Sequence, residues 1–345
     1  MDFSIASILL LDGVTNGAVY ALLAIAIVLV FSVTRVIFIP QGEYVAFAAL
    51  TVGYLQMGKV PGTAWLLLAM ALAGAAMDVY EGVRTRARAP ALCRRIALTL
   101  AFPVVISLVA WWLAPMNLPL LAQLALTLAL VTPMGPLVYR LAFRSLADAS
   151  VLSLLIVSVG VHFALTGLGL LLFGAEGFRT PSAWDVRFNL GPVSVTGQTL
   201  FIFLATAALI VMLFVYFDRT LSGKGLRATA VNRTGARLMG ISTEGAGSLS
   251  FTMSAFIGAL SGLLIGPTTT VFYDSGFLIG LKGFVAAVFA GLSSFPAALL
   301  GALLVGVLES FGSFWASAFK EVIVFTAILP VLLWRSIIDR HVEEH

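Results

Sequence analysis

Charged side chains are scarce in this chain. Lys and Arg together number 20 and Asp and Glu 16 among 345 residues, whereas 60% of the residues are hydrophobic and the mean hydropathy is +1.06. Soluble domains carry roughly 25% charged residues, so a soluble protein is excluded. Residues 96–139 contain no charged side chain at all. A helix of that length would far exceed a hydrocarbon core of roughly 30 Å, so the run must fold back, and Pro115 and Pro119 mark the break.

Cysteine and recognisable catalytic patterns are also scarce. The single Cys93 cannot form an internal disulfide, and no CxxC pair or Cys/His cluster suggests metal or redox chemistry. No P-loop sequence (GxxxxGK followed by Ser or Thr) is present, and no DDxxD-like or HExxH pattern supports a membrane-embedded transferase. We therefore expect no cofactor and no enzymatic activity. Transport driven by ATP would need another subunit to bind the nucleotide.

Uncharged runs separated by polar turns predict an all-α, polytopic transmembrane helical bundle of about nine to eleven spans. The whole chain, residues 1–345, is expected to form a single integral membrane domain with a polar loop at 218–245. A break at 291–296 indicates a broken or re-entrant helix near 278–296. The expected spans lie at 13–34, 44–54, 64–77, twice within 96–139, then at 149–173, 199–217, 247–265, 283–308 and 322–334.

The distribution of basic residues predicts the orientation of the chain. Residues 81–95 hold five Arg against one Glu, and residues 218–244 hold five basic residues against two acidic ones, whereas 174–197 is balanced. The positive-inside rule places the first two loops and 140–148 in the cytoplasm and 174–197 outside, and Arg335 and Arg340 also favour the cytoplasm. Because the net charge of +4 resides in such loops, no nucleic-acid partner is expected.

Polar residues at membrane depth are candidates for a solute pathway. Between the first two spans, Gln41 and Glu43 accompany Pro40 and Gly42. Irregular backbone at depth is tolerated where it is buried in protein or lines a wet cavity, but a tight cytoplasmic turn with Glu43 at a helix start explains the same residues. Later candidates for the pathway are Thr268, Thr269, Tyr273 and Lys282. His162 is expected to bond to a neighbouring helix, and Glu309 to lie at a span end and reach the interface.

Two further patterns concern helix contacts. In residues 222–241, Leu226, Ala230, Leu238 and Ile241 recur at helical spacing, which predicts a short amphipathic helix ending near Gly240. Such a helix could lie on the membrane surface or dock into a partner's groove.

Gly258, Gly262 and Gly266 form a ladder of small residues that allows close helix packing, either within the chain or against a second subunit.

Several longer segments resemble one family. ATAVNRTGARLMGIS, SFTMSAFIGALSGLL and GLKGFVAAVFAGLSSFPAALLGALLVGVLES look like the C-terminal half of the LivH-type permease of branched-chain amino acid ABC transporters. NGAVYALLAIAIVLVFSVTRVIFIPQGEYVAF resembles the first two spans of that family, and YRLAFRSLADASVLSLLIVSVG its central signature. The order of these segments is that of the family. Two departures are Phe38-Ile39-Pro40 in place of the usual Asn-containing sequence, and an apparently longer region at 75–137.

The resemblance implies a permease subunit in a bacterial inner membrane that imports branched-chain amino acids or a related small polar solute. Its implied partners are two cytoplasmic ATPase subunits, a second permease subunit in a heterodimer or homodimer, a periplasmic solute-binding protein and the lipid bilayer. A self-sufficient secondary transporter or channel is the alternative, and it would need coupling charges within the membrane. Under the resemblance, the segment that couples to the ATPase contains Gly225, Arg227, Ala230, Asn232, Arg233, Gly235, Arg237 and Gly240.

Overall fold

The computed structural model describes residues 3–86, 89–116, 118–182, 184–190 and 193–333, and Arg335 and Arg340 lie outside this part of the chain. The described residues are mainly helical, and their strands form one antiparallel hairpin. The helices and strands are α1 (Phe3–Thr34), α2 (Gln41–Gln56), α3 (Gly62–Arg84), α4 (Ala89–Leu113), α5 (Leu120–Val131), α6 (Met134–Val138), α7 (Val151–Phe173), β1 (Arg187–Leu190), β2 (Val193–Thr196), α8 (Gly197–Arg219), α9 (Leu221–Val231), α10 (Arg233–Leu238), α11 (Thr243–Ile265), α12 (Ser275–Phe289), α13 (Phe295–Trp315) and α14 (Lys320–Thr326).

The helical-bundle prediction is confirmed, and in the described residues 8 helices are long and apolar enough to cross a membrane. Two others are short: α2 has 16 residues and α12 has 15, which gives lengths of about 24 and 22 Å. Neither length reaches across a core of roughly 30 Å. The predicted break at 291–296 is present, because α12 ends at Phe289 and α13 begins at Phe295. Gly291 and Leu292 have positive φ angles in that turn.

The long apolar run at 96–139 also folds as predicted. Helix α4 ends at Leu113 and α5 begins at Leu120, with Pro119 preceding its first residue. Helix α4 is largely exposed on the outside of the bundle, which agrees with the charge-free, apolar sequence of residues 96–113 facing lipid. The predicted final span at 322–334 is helical in α14 and again at 328–333, and Trp334 is outside the described residues.

Helix α1 lies at the centre of one half of the bundle. Its residues 17–30 are almost all apolar and are all buried, and α1 packs against α11, α12 and α13. Glycines set its distance from α13: a Cβ at Gly306 would overlap the backbone of Gly13 and Gly17. Small residues at such crossings bring two helix backbones into direct contact.

Helix α2 lies at the centre of the other half, against α11 and α12. A Cβ at Gly258 would lie 2.9 Å from the Gln41 amide nitrogen and from Tyr44 Cβ, and one at Gly262 would overlap the Val45 carbonyl oxygen. The glycine ladder therefore packs within this chain, which selects the first of the two alternatives for it.

Candidate translocation and coupling sites

The segment before α2 carries irregular backbone into the interior of the bundle. Val36, Phe38 and Pro40 are buried. The Ile39 N–H donates to Ser158 Oγ at 2.9 Å, and the Gln41 amide donates to the Ser254 carbonyl at 3.0 Å. Ser254 Oγ in turn donates to Gln41 Oε1. A tight turn at the cytoplasmic surface does not fit this segment, because the Ile39 N–H bonds to a side chain of α7, the Gln41 side chain bonds to α11, and both Gln41 and Glu43 are buried inside the bundle.

The start of α2 lies at mid-depth. Gln41 bonds to Ser254, midway along α11, and Glu43 Oε1 lies 2.8 Å from His162 Nδ1, midway along α7. Both α2 residues are completely buried. Short helices that begin near the bilayer midplane point their partly positive N-termini at polar solutes or ions in many transporters. Helix α2 has this geometry.

The His162 side chain bonds to a side chain of a neighbouring helix, as the apolar sequence around it predicts. Besides the Glu43 carboxylate, its ring contacts the Phe277 ring, with centroids 4.7 Å apart, and Thr166 Oγ1 lies 3.5 Å from Nδ1. Glu43 Oε2 is buried and has no hydrogen-bond partner among the described residues. A buried carboxylate oxygen without a donor is unusual and is typical of functional positions.

Three glycines join the first turns of α2 and α12. A Cβ at Gly42 would coincide with the Gly276 carbonyl oxygen and would lie 2.8 Å from the Gly280 backbone nitrogen. No residue larger than glycine fits at Gly42 without separating the two helices. This contact fixes Gln41 and Glu43 beside α12.

A second buried polar cluster surrounds Lys282. Its Nζ lies 2.5 Å from Glu309 Oε1 and 3.1 Å from Glu321 Oε1, and the Tyr20 hydroxyl donates to Glu309 Oε2 at 2.6 Å. The prediction that Glu309 reaches the membrane interface is wrong, because Lys282 and Tyr20 satisfy its carboxylate inside the bundle. Tyr20 and Glu321 were not predicted as site residues. Their partners are far away in sequence, so no local spacing marks them.

The other pathway candidates lie in the connection between α11 and α12. Thr268 and Thr269 are exposed, and Tyr273 is half-buried beside Gly169 of α7. This connection pairs with the segment after α7 through two backbone hydrogen bonds between Phe178 and Val271. The structure thus brings Gln41, Glu43 and His162 together, gathers Lys282 into a second cluster, and leaves the two threonines at one end of the bundle.

Contacts at the opposite end of the bundle join the basic loops. Arg144 pairs with Glu244 and lies 3.7 Å from Glu81, and Arg233 Nη1 donates to the Ala147 carbonyl at 2.6 Å. The loops that the positive-inside rule assigns to one side therefore lie together at one end. Val271 and Phe178 lie beyond the far ends of α11 and α7.

The 218–245 loop forms two short helices, so the single predicted helix ending near Gly240 is wrong. Thr220 caps α9 by accepting from the Gly223 N–H at 3.0 Å, and Asn232 breaks the helix and caps α10 by accepting from the Gly235 N–H at 2.8 Å. Gly240, with φ of +79°, ends α10.

The predicted coupling residues divide between the buried and exposed faces of this loop. Gly225, Ala230, Arg233 and Gly235 are half-buried, whereas Arg227, Asn232, Arg237 and Gly240 are exposed. Leu226 is buried as its spacing predicts, but Leu238 is not, because the break at Asn232 rotates α10 away from that stripe.

An exposed apolar surface covers the tips of both short helices. Leu221, Val231, Leu238 and Met239 are 82–88% exposed, in a loop that otherwise carries polar and charged side chains. We call these four residues the α9–α10 apolar surface. Several large apolar side chains this exposed in one otherwise polar loop favour an interaction site.

Comparison with known proteins identifies a family and several relatives. Residues 104–333 match the family described as the permease component of the branched-chain amino acid transport system. The high-affinity branched-chain amino acid transport system permease protein BraD of Pseudomonas aeruginosa is 27% identical over 339 residues, which cover 94% of this chain and 92% of BraD. LivH of Escherichia coli K12, described by the same words, is 26% identical, with 93% and 91% covered.

Among solved structures, PsaBC from Streptococcus pneumoniae in complex with Fab aligns with 93% of this chain and 88% of its own, at 12% identity and a TM-score of 0.37. The family match covers about two thirds of the chain and includes α7 to α13. The chain is therefore a multi-pass membrane protein that belongs to the family of permease components of branched-chain amino acid transport systems.

Proposed function

We propose that this chain is the permease subunit of a bacterial ABC importer and forms one side of the pathway for a branched-chain amino acid or a related small polar solute. The names of the relatives support this substrate class. The chain acts in the inner membrane as one domain, together with two cytoplasmic ATPase subunits, a second permease subunit and a periplasmic solute-binding protein. The absence of a P-loop sequence supports a separate ATPase.

The α9–α10 apolar surface carries this proposal. A coupling segment has to fit a groove on a separate protein and transmit rigid-body motion, which requires exposed anchors and no reactive groups. Leu238 and Met239 on α10, and Leu221 and Val231 at the two ends of α9, supply the anchors. Arg227 and Arg237 supply a basic rim.

We assign the pathway to the meeting point of α2 and α12. Gln41 and Glu43 at the mid-depth start of α2 contact the solute once the bundle opens, and Lys282 stabilises the adjoining part of α12. Thr268, Thr269 and Tyr273 lie at the end expected to face the binding protein. In the described conformation Gln41 and Glu43 are buried, as a closed pathway requires.

Substituting Leu238 with Glu tests the coupling assignment. An acidic group in the centre of a docking surface removes an apolar contact and buries an unpaired charge, so we expect affinity for the ATPase to fall about thirtyfold. Uptake should fall with it, while the amount of permease in the membrane stays near normal, because the side chain is exposed. The measurements are solute uptake and co-purification of the ATPase.

The matched control is Thr234→Glu, which also turns a neutral side chain into an acidic one, at an exposed position of α10 outside the apolar surface. Ala230 and Gly235 are less suitable test positions. Ala230 packs against the core, and a Cβ at Gly235 would lie 3.2 Å from Asn232 Cγ, so substitutions there act on the fold.

Normal uptake with bound ATPase in Leu238→Glu would contradict the proposal. Uptake without any ATPase would favour the secondary-transporter alternative.

The proposed orientation has its own test. In a Cys93→Ser background, Lys224→Cys and Asp185→Cys place single thiols at exposed positions near opposite ends of the bundle. We expect a membrane-impermeant maleimide to label position 185 in cells with a permeable outer membrane, and position 224 only after the inner membrane is opened. Labelling of position 224 in intact cells would place the α9–α10 loop on the wrong side for coupling.

A further inference from the structure

A cavity of about 1020 Å³ lies where α3, α4, the α5–α6 segment and α11 meet. It is at the upper end of the size range of small-molecule pockets. None of the pathway candidates lines it. Charged residues of α3, α4, α11 and the segment after α6 line one part of it, and apolar residues of α4, α5 and α11 line much of the rest.

The lining changes from charged to apolar along the helices. On α4, Arg95 is followed on the same face by Leu98 and Phe102. On α11, Glu244, Ser248, Thr252 and Phe256 follow one another at intervals of one turn. The charged end therefore lies with the basic loops at the end of the bundle, and the apolar end lies deeper. Leu98 and Phe102 are 69% and 53% exposed, so the apolar end opens toward lipid.

The charged end offers a hydrogen-bond donor that no described residue accepts. Arg140 is held by Asp78 and by Thr99, whose Oγ1 accepts from Nη1 at 2.8 Å, yet Arg140 Nε is buried without an acceptor among the described residues. Buried donors in proteins nearly always have partners. The unused Nε–H therefore indicates that an acceptor binds here.

The balance of charge identifies the sign of that acceptor. Three arginines line the cavity against two carboxylates. Arg140 and Arg144 are paired with Asp78 and Glu244, whereas Arg95 has no ion pair among the described residues. Glu81 lies outside the lining and 3.7 Å from the already paired Arg144, so Arg95 remains the lining arginine without a carboxylate partner among the described residues. Basic pockets between helices on the cytoplasmic side of a membrane are suited to the headgroups of anionic lipids.

We propose that this cavity binds one anionic phospholipid, with its phosphate at Arg95 and Arg140 and an acyl chain along Leu98, Phe102 and Phe256. The charged end binds the phosphate of this ligand, and the lipid-facing apolar end binds its acyl chain. A small polar solute would leave the apolar end unfilled. The site is separate from the proposed pathway, so the proposal does not depend on the transported solute.

The test is retention of phosphatidylglycerol by the full chain, measured by native mass spectrometry after reconstitution into vesicles of phosphatidylethanolamine and phosphatidylglycerol and mild detergent extraction. We expect one phosphatidylglycerol per wild-type chain. Arg95→Gln should reduce its retention about fivefold, the effect of one basic residue near an anionic surface. The neighbouring Arg94→Gln, exposed but outside the cavity, should not. Equal losses in both variants would indicate general surface attraction and overturn the proposal.

A second pair of variants tests the acyl chain. Ala129→Phe fills the apolar end from α5, whereas Ala125→Phe adds the same ring to an exposed position one turn earlier. Retention should fall in the first variant and stay unchanged in the second. Glycerol 3-phosphate at millimolar concentration should not displace the lipid. Displacement by this soluble anion, or full retention in Ala129→Phe, would mean that the cavity binds only a phosphate group and would refute the lipid assignment.

Discussion

Replacing Lys282 with Met is expected to destabilise the folded permease by about 3–5 kcal/mol, the usual cost of removing one partner from a buried ion pair. Lys282 Nζ lies between Glu309 and Glu321, and the Lys282 side chain is only 7% exposed. Without the ammonium group, two carboxylates face each other inside a bundle that lies in lipid. The measurement is the midpoint of thermal unfolding in detergent, followed by loss of the monodisperse peak in size-exclusion chromatography.

Two variants separate charge from packing in this experiment. Lys282→Met combined with Glu309→Gln removes both members of the closest pair and should recover a large part of the lost stability, which a double-mutant cycle quantifies. Lys320→Met removes an exposed lysine 4.0 Å from the same Glu321, and we expect an effect within about 0.5 kcal/mol. If Lys282→Met is as stable as Lys320→Met, the buried cluster does not stabilise the fold.

Replacing Gly42 with Val should be similarly severe. The new Cβ would coincide with the Gly276 carbonyl oxygen, so α2 and α12 would have to separate. Overpacking in a close-packed interior usually costs about 1–3 kcal/mol, and we expect the upper end or more, because the obstructing atom is backbone and cannot rotate away. Both the yield of monodisperse protein and uptake should fall sharply.

The control for this substitution lies on α7. A Cβ at Gly160 or Gly167 would meet no atom of the described residues within 4 Å, so Val at either position should leave the yield of folded protein nearly unchanged. This comparison keeps the residue change constant and varies only the space around it. Equal yields from Gly42→Val and Gly160→Val would contradict the direct contact of the two helix starts.

The positions of the spans could be predicted from the sequence because membrane insertion depends mainly on local composition. The turn between Leu113 and Leu120 and the break after Phe289 follow from proline and glycine in otherwise apolar runs. The two helices in the 218–245 loop were also predictable in principle. Asn232 precedes Gly235 at the spacing of an N-cap and its bonded N–H, but the apolar periodicity that runs across it concealed the break.

The polar clusters could not be predicted, because their members come from distant parts of the chain. Tyr20 and Glu309 are 289 positions apart, and Glu43 and His162 are 119 apart. A single sequence shows that such residues are unusual in a membrane but gives no information about which ones meet. Their pairing depends on helix packing, which glycines at Gly42, Gly258 and Gly306 determine through direct backbone contact.

Helix α7 links contacts at one end of the bundle to contacts in its interior. The turn just before its first residue accepts the bond from Arg233 of α10, and half-way along its length Ser158 and His162 hold the segment that leads into α2. It touches the rest of the chain along one narrow stripe and is otherwise exposed. A displacement of α10 that keeps the Arg233 bond therefore moves the turn before α7, and any sliding of α7 that follows acts directly on Ile39 and Glu43.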